Sequence, residues 1–210
     1  LNVWTKGIND NKKRPVMVWL HGGGYAMGAS SELPFYDGAN LAKKDVVLVS
    51  INHRLNVLGF MDISDYGEKY KYSGSCGVLD MIKALEWVNK NIAGFGGDPN
   101  NVTIFGQSGG GGKVNILRDA PKAKGLFNKG IIESGSMINF QDKNVAREMG
   151  NAVVKKLGLT AETIDQIQTI PYEQLLAAAT DAIVEANPTN IFYRLYGAGM
   201  WFGPQVDGEV

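Results

Sequence analysis

The chain is poor in the side chains that build metal centres. Its 210 residues hold one cysteine and two histidines. Cys76 on its own excludes an internal disulfide, and with His21 and His53 it makes no metal-ligand cluster, so no metal site is expected. A lone thiol suits a reducing compartment such as the cytoplasm, and Cys76 reads as a small residue near a helix start. Excess charge is missing too. Lys+Arg and Asp+Glu both number 21, which removes the electrostatic case for a nucleic-acid or anionic-membrane partner. No apolar run approaches the ~18 residues that span a bilayer; the longest is Val46 to Ile51. What is present, 44% hydrophobic and 20% charged residues, is enough to build the core of one large globular domain over residues 1–210.

The pattern along the chain is that of an α/β fold. Leu1 to Trp4 alternates as a strand, and after the polar turn KGINDNKKR a second apolar run covers Pro15 to Leu20, which together suggest a hairpin-like pair. A short helix is expected at 35–44. Val46 to Ile51 has the continuous apolar character of a strand buried on both faces. Asn52 to Cys76 reads as loop. Gly77 to Ile92 carries Leu79, Ile82, Leu85 and Val88 at helical spacing. Strands at Val102–Phe105 and Lys129–Glu133 enclose another helix. Strand alternating with helix predicts a central, mostly parallel sheet flanked by helices. Residues 142–186 then show three helical patterns (142–157, 161–169 and 172–186) with no strand between them, expected to be a helical insertion within the domain.

Residues 105 to 114, FGQSGGGGKV, admit two readings. A phosphate loop requires G-x-x-x-x-G-K-[ST], so that backbone amides hold phosphate and a hydroxyl meets the metal ion. Counting back from Gly112-Lys113, the first glycine falls on Gln107, and Val114 stands where the hydroxyl is needed. A dinucleotide fingerprint fails as well, because Asn115 occupies its third glycine position. The second reading fits throughout. Gly106-Gln107-Ser108-Gly109-Gly110 is G-x-S-x-G, which sets a nucleophilic serine on a sharp strand-to-helix turn that small neighbours allow. Val102-Thr103-Ile104-Phe105 supplies the strand and GGGGKVNILRD the helix. Glycines in the first helical turn each cost ~0.5–1 kcal/mol relative to alanine, so their number implies a helix start pressed against other backbone.

A serine nucleophile also needs donors for the developing oxyanion. His21-Gly22-Gly23-Gly24-Tyr25, directly after an apolar strand, is an HGGG-type loop. With the residue after the serine it makes Gly23, Gly24 and Gly109 the candidate oxyanion-hole amides.

Taken together, HGGGYAMG, SINHRLNVLGF, GVLDMIKALEWVNKNIAGFGGDPNNVTIFGQSGGGG and LFNKGIIESGS resemble the type-B carboxylesterases, the cholinesterase-like branch of the α/β-hydrolases. The resemblance is dense to about Ser136, thins through the helical stretch, and returns at Gly203-Pro204-Gln205-Val206-Asp207-Gly208. It implies hydrolysis of carboxylic esters through an acyl-enzyme on Ser108, without cofactor, on a small-molecule ester. Two positions depart from the family pattern. Gln107 stands where glutamate is usual, which removes a negative charge and argues against choline-type substrates, and Gly109 replaces alanine. Such an enzyme also needs a carboxylate and a histidine after the serine, in that order, and no histidine follows Ser108. The resemblance places both beyond Val210 and gives neither His21 nor His53 the role of base. The remainder of the same polypeptide is therefore the expected partner of this stretch, which alone would lack the triad acid and histidine.

Glu133 and Ser134 are expected to give polar support behind the site, together with Gln107. Arg54 and Asp80 match family positions that pair in a buried salt bridge. Tyr25, Phe60, Trp201 and Phe202 could wall an acyl or alcohol pocket or belong to the core. The competing function is a non-catalytic, cholinesterase-like binding or adhesion domain, a class that keeps this fold and typically loses the nucleophile.

Overall fold

The computed structural model describes residues 1–136, 140–187, 201–208 and 210. Five strands form one sheet in the order β1-β3-β2-β4-β5: β1 (Asn2–Trp4), β2 (Arg14–Leu20), β3 (Val47–Ser50), β4 (Gly97–Gln107) and β5 (Lys129–Glu133). All neighbours are parallel except β1, which runs antiparallel along β3. Alternation within the central strands explains the layering. Val16, Val18 and Leu20 of β2 and Val102 and Ile104 of β4 are fully buried, while Met17, Trp19, Thr103 and Phe105 between them are half-buried. The buried side is covered by α3 (Cys76–Asn91) and α4 (Gly109–Asp119), which pack on the sheet and on each other. β3 is buried along its whole length, as its continuous apolar run requires.

The hairpin expected at the N-terminus does not form. β1 and β2 lie on opposite sides of β3, and β2 gives both of its edges to parallel neighbours. The connection between them is too long for a tight turn and is held elsewhere. Thr5 Oγ1 donates to Phe95 O (2.8 Å), and Asn9 N donates to Gly94 O (2.8 Å). The buried Arg14 then binds both Asp10 (2.6 Å) and Asp45 (2.8 Å), tying the start of β2 to the entry of β3.

Other departures are local. The helix expected at 35–44 splits into a 3₁₀ turn, Pro34–Tyr36, and the single turn α1 (Ala39–Ala42), because the chain is extended at Asp37 between them. The stretch read as loop contains the short helix α2 (Asn56–Phe60), which at five residues is too brief to show a period. β4 begins at Gly97 rather than Val102: the polar GDPNN joins the strand across an irregularity opposite Arg14–Val16.

The helical stretch holds α5 (Lys143–Lys156), a 3₁₀ segment Ile164–Thr169 and α6 (Tyr172–Ala186). Asp142 starts α5 as an N-cap, its side chain accepting from the amides of Asn144 and Val145. Met149, Val153 and Val154 of α5 join Leu175, Ala179 and Ile183 of α6 in the buried core. Gln141 N donates to Pro204 O (3.1 Å), Gln205 Nε2 to Asp62 (2.8 Å) and Ser75 Oγ to Asp207 (2.7 Å), fastening residues 203–208 beside the start of α3. No helix among the described residues is long and apolar enough to cross a membrane.

α5 rests directly on the backbone that follows α2, since a Cβ at Gly150 would lie 1.8 Å from Asp62 O. Overpacking of this kind typically costs about 1–3 kcal/mol. Gly150→Ala is therefore expected to lower the midpoint of chemical denaturation, whereas Gly158→Asn, in the open left-handed turn after α5 (φ 69°), is expected to leave it nearly unchanged. Equal midpoints for Gly150→Ala and the parent would show that α5 does not dock there.

Candidate active site

The strand order creates the site. From β2 the chain moves to β3 on one side, and from β4 to β5 on the other, so the segments leaving β2 and β4 part over a common gap at the carboxyl ends of the strands. Such switch points are where open α/β sheets bind ligands. Leu20 and Gly106 are register partners at this end, so the HGGG loop and the G-x-S-x-G turn emerge side by side.

Ser108 stands at the tip of the turn with φ 56° and ψ −122°, a conformation that non-glycine residues rarely hold. Strain of this sort costs on the order of 1–3 kcal/mol and persists only where the surroundings impose it. Here Ser108 N donates to Glu133 O (2.8 Å), and Gly112 N donates to Ser108 O (3.1 Å). The glycines explain themselves by contact. A Cβ on Gly106 would meet Gly110 C at 2.5 Å, and one on Gly110 would meet Leu20 O at 2.1 Å. The helix start is thus pressed against neighbouring backbone, as its glycine content implies. Ser108 is exposed at the crevice.

A Cβ on Gly109 would lie 2.4 Å from both Cα and N of Gly24, so the HGGG loop and the head of α4 touch backbone to backbone. Gly23 (φ 82°) and Gly24 (φ 62°) are both left-handed, and Gly23 O turns back to accept from Ala26 and Met27. The amides of Gly23, Gly24 and Gly109 have no acceptor among the described residues. That of Gly109, first in its helix, has no intrahelical acceptor by geometry and sits at the positive end of the helix dipole. The contact between Gly24 and Gly109 thus lies next to the exposed Ser108 in the chain.

Glu133 acts on Ser108 through its backbone carbonyl, while its side chain and that of Gln107 line a half-open groove of about 490 Å³ walled by Trp19, Tyr36 and Phe105. Ser134 takes φ 55° in the next turn, where Gly135 approaches so closely that a Cβ would meet Ser108 O at 2.2 Å. Ser108 and the three glycines do not line this groove, and its aromatics are not those singled out in the sequence. Tyr25, Phe60 and Phe202 are buried in the core and Trp201 packs against it. Alternation along β2 and β4 is the signal that would have found Trp19 and Phe105.

Arg54 and Asp80 do pair, through two guanidinium bonds of 2.7 and 2.8 Å and one from the Arg54 amide. The expectation that the pair is buried is not met, because Arg54 is 52% exposed. Water reaches the guanidinium, so its contribution falls toward the ~1 kcal/mol of surface pairs.

His21 and His53 stack at 5.1 Å with planes 9° apart. Their Nδ1 atoms lie 2.9 and 3.0 Å from the carbonyls of Gly22 and Arg54; a carbonyl can only accept, so each Nδ1 carries the proton. Burial pushes His21 down to about 4 and His53 to about 3, with the charge of Lys113 adding to both. Neither is poised as a base near neutrality. Lys113, fully buried in the first turns of α4, reaches across to His21 O (2.8 Å) and Gly22 O (3.5 Å), and burial lowers its amine to about 7. Its inward course was not evident from sequence; the signal was a lone lysine among glycines at a helix start. Among the described residues, no three His, Cys, Asp or Glu side chains assemble as metal ligands.

The whole of residues 1–210 matches the model of the Carboxylesterase family. This chain belongs to that family. Its fold is that of the α/β-hydrolases, and the similarity to solved carboxylesterases extends over nearly all of it. It is 42% identical over 198 residues to the para-nitrobenzyl esterase of Bacillus subtilis (strain 168), a match that takes in 94% of this chain and 38% of that protein. To the liver carboxylesterase of Sus scrofa it is 46% identical over 137 residues, 64% of this chain and 23% of the relative. The chain therefore spans well under half the length of these relatives. Among solved structures, a PNB esterase superposes with a TM-score of 0.84 at 40% identity, covering 99% of this chain and 42% of its own. A Geobacillus stearothermophilus carboxylesterase gives 0.82, also at 40%, with the same coverage of 99% and 42%.

The depressed bases make stability depend on pH in a defined direction. In the unfolded chain they titrate near ~6.5 (His) and ~10.4 (Lys), above their folded values, so the unfolded state binds more protons between the two and stability rises with pH there. For His21 and His53 the window runs from about 6.5 down to about 4 and 3, and stability falls as pH drops through it. For Lys113 the penalty is fully present below about 7 and is lifted as pH climbs toward 10.5. Lys113→Met is thus expected to stabilise the protein most at and below pH 7, with the gain shrinking toward pH 10. Denaturation curves showing a pH-independent difference would contradict the burial of a titrating amine.

Proposed function

We propose that the protein is a serine hydrolase that cleaves carboxylic esters, with Ser108 as nucleophile and the amides of Gly23, Gly24 and Gly109 as oxyanion hole. The observation that carries this is an exposed serine in a strained turn, at the switch point of the sheet, next to a helix head that touches the HGGG loop backbone to backbone. In this reading Ser108 Oγ attacks the ester carbonyl carbon while a base takes its proton. The carbonyl π electrons move onto oxygen, where the amides stabilise the negative charge. Collapse of the tetrahedral intermediate expels the alcohol, which takes the proton from the base. Water then repeats the sequence on the acyl-enzyme and frees the acid. The base and its orienting carboxylate are assigned to the part of the polypeptide that follows Val210. Glu133 and Ser134 support the elbow from the adjoining turn, Arg54–Asp80 braces the chain after β3, and 142–186 is an insertion in a single domain. Retention of the serine in its strained conformation speaks against a purely binding role.

The full-length polypeptide should hydrolyse p-nitrophenyl butyrate and be labelled by a fluorophosphonate probe, and Ser108→Ala should lose both. Turnover undiminished in that variant would remove Ser108 as nucleophile. Gln107, adjacent to Ser108 in the chain, is neutral where the family pattern has glutamate and so offers a cationic alcohol no counter-charge of its own. A choline ester should accordingly be preferred over its neutral isostere by less than about tenfold in kcat/KM, equivalent to ~1.4 kcal/mol. A larger preference would mean that another anion faces the substrate.

A further inference from the structure

The oxyanion loop is gripped from behind by a side chain to which the hydrolytic scheme gives no part. Lys113 leaves α4 five residues after Ser108, is completely buried, and donates to the carbonyls of His21 and Gly22, the two residues that lead into Gly23 and Gly24. No carboxylate among the described residues pairs with it. The charged and titratable groups around it are His21 at the end of β2, His53 after β3, with Asp80 acting on that ring, and Glu32 at longer range. An isolated ammonium is costly to bury, and an apolar side chain would fill the same space without that penalty.

We propose that Lys113 is a positioning residue for the oxyanion hole: by holding the carbonyls of His21 and Gly22 it keeps the amides that follow in the loop beside Ser108 at the head of α4. The inference rests on the proposed role of Ser108 and the loop. It adds a regulatory consequence. A charge-assisted hydrogen bond is roughly twice as strong as a neutral one. The grip, and the positive charge behind the developing oxyanion, both weaken when the amine loses its proton. Burial places that ionisation at about 7, while both neighbouring imidazoles stay neutral above about 4. Turnover should therefore acquire an alkaline limb that belongs to Lys113.

The test uses the full-length polypeptide and p-nitrophenyl butyrate, with kcat and KM measured from pH 5.5 to 9 for the parent, Lys113→Met, Lys113→Gln and Ser108→Ala. Lys113→Met is expected to lower kcat at neutral pH about tenfold or more, with KM within about twofold, and to abolish the alkaline limb. Lys113→Gln, which keeps a donor without the charge, is expected to recover part of kcat and still lack the limb. A residue serving only to fill space would leave kcat and its pH profile intact in Lys113→Met, which should fold at least as stably. That outcome, with Ser108→Ala inactive, overturns the inference and leaves the proposed site standing. Activity surviving in Ser108→Ala would instead remove the site reading and this inference with it.

Discussion

Backbone-to-backbone contact between the end of β2 and the head of α4 is the constraint on which this molecule depends. The carbonyl of Leu20 lies where a side chain on Gly110 would have to be, and Gly24 lies where one on Gly109 would be. Only glycine permits either approach. With that contact in place, the HGGG loop cannot sit anywhere except beside Ser108, and α4 must begin where its first amide opens to the crevice. The helix accepts four poor helix formers at its start because tertiary packing of Val114 and Leu117 against the sheet compensates for them.

The topology supplies the other half of the arrangement. Because β2 and β4 are neighbours whose connections diverge, the space above their ends is left free, and the parallel sheet directs both loops to the same edge. β5 then completes the elbow by lending a carbonyl to the amide of Ser108. Strain at that serine is sustained by backbone bonds to two separate elements, β5 and α4, which is why it can persist in a residue with a side chain.

A buried lysine in such a place is a local contradiction. Its amine is desolvated, donates to carbonyl dipoles, and depresses two neighbouring imidazoles, His21 buried and His53 half-buried. Natural sequences tolerate conflicts of this kind mainly where a function is served. The carbonyls it binds belong to the HGGG loop, whose amides are the candidate oxyanion donors.

Much of this was legible in the residues themselves. The period of α3, the alternation of β2 and β4, the G-x-S-x-G turn and the HGGG loop are local signals, since side-chain spacing and glycine freedom act over a few residues. Sequence alone therefore determined the α/β class, the identity of the candidate serine and the candidate oxyanion amides. Tertiary structure decided what depends on distant partners. It placed β3 between β1 and β2, where adjacency in the chain suggested a hairpin, because a two-edged parallel strand needs neighbours that arrive later. It left Arg54 half in water, drew Tyr25 and Phe60 into the core while Trp19 and Phe105 walled the groove, and turned Lys113 inward to carbonyls some ninety residues away. Burial and hydrogen-bond partnership are properties of the folded environment, and no spacing rule within one segment encodes them.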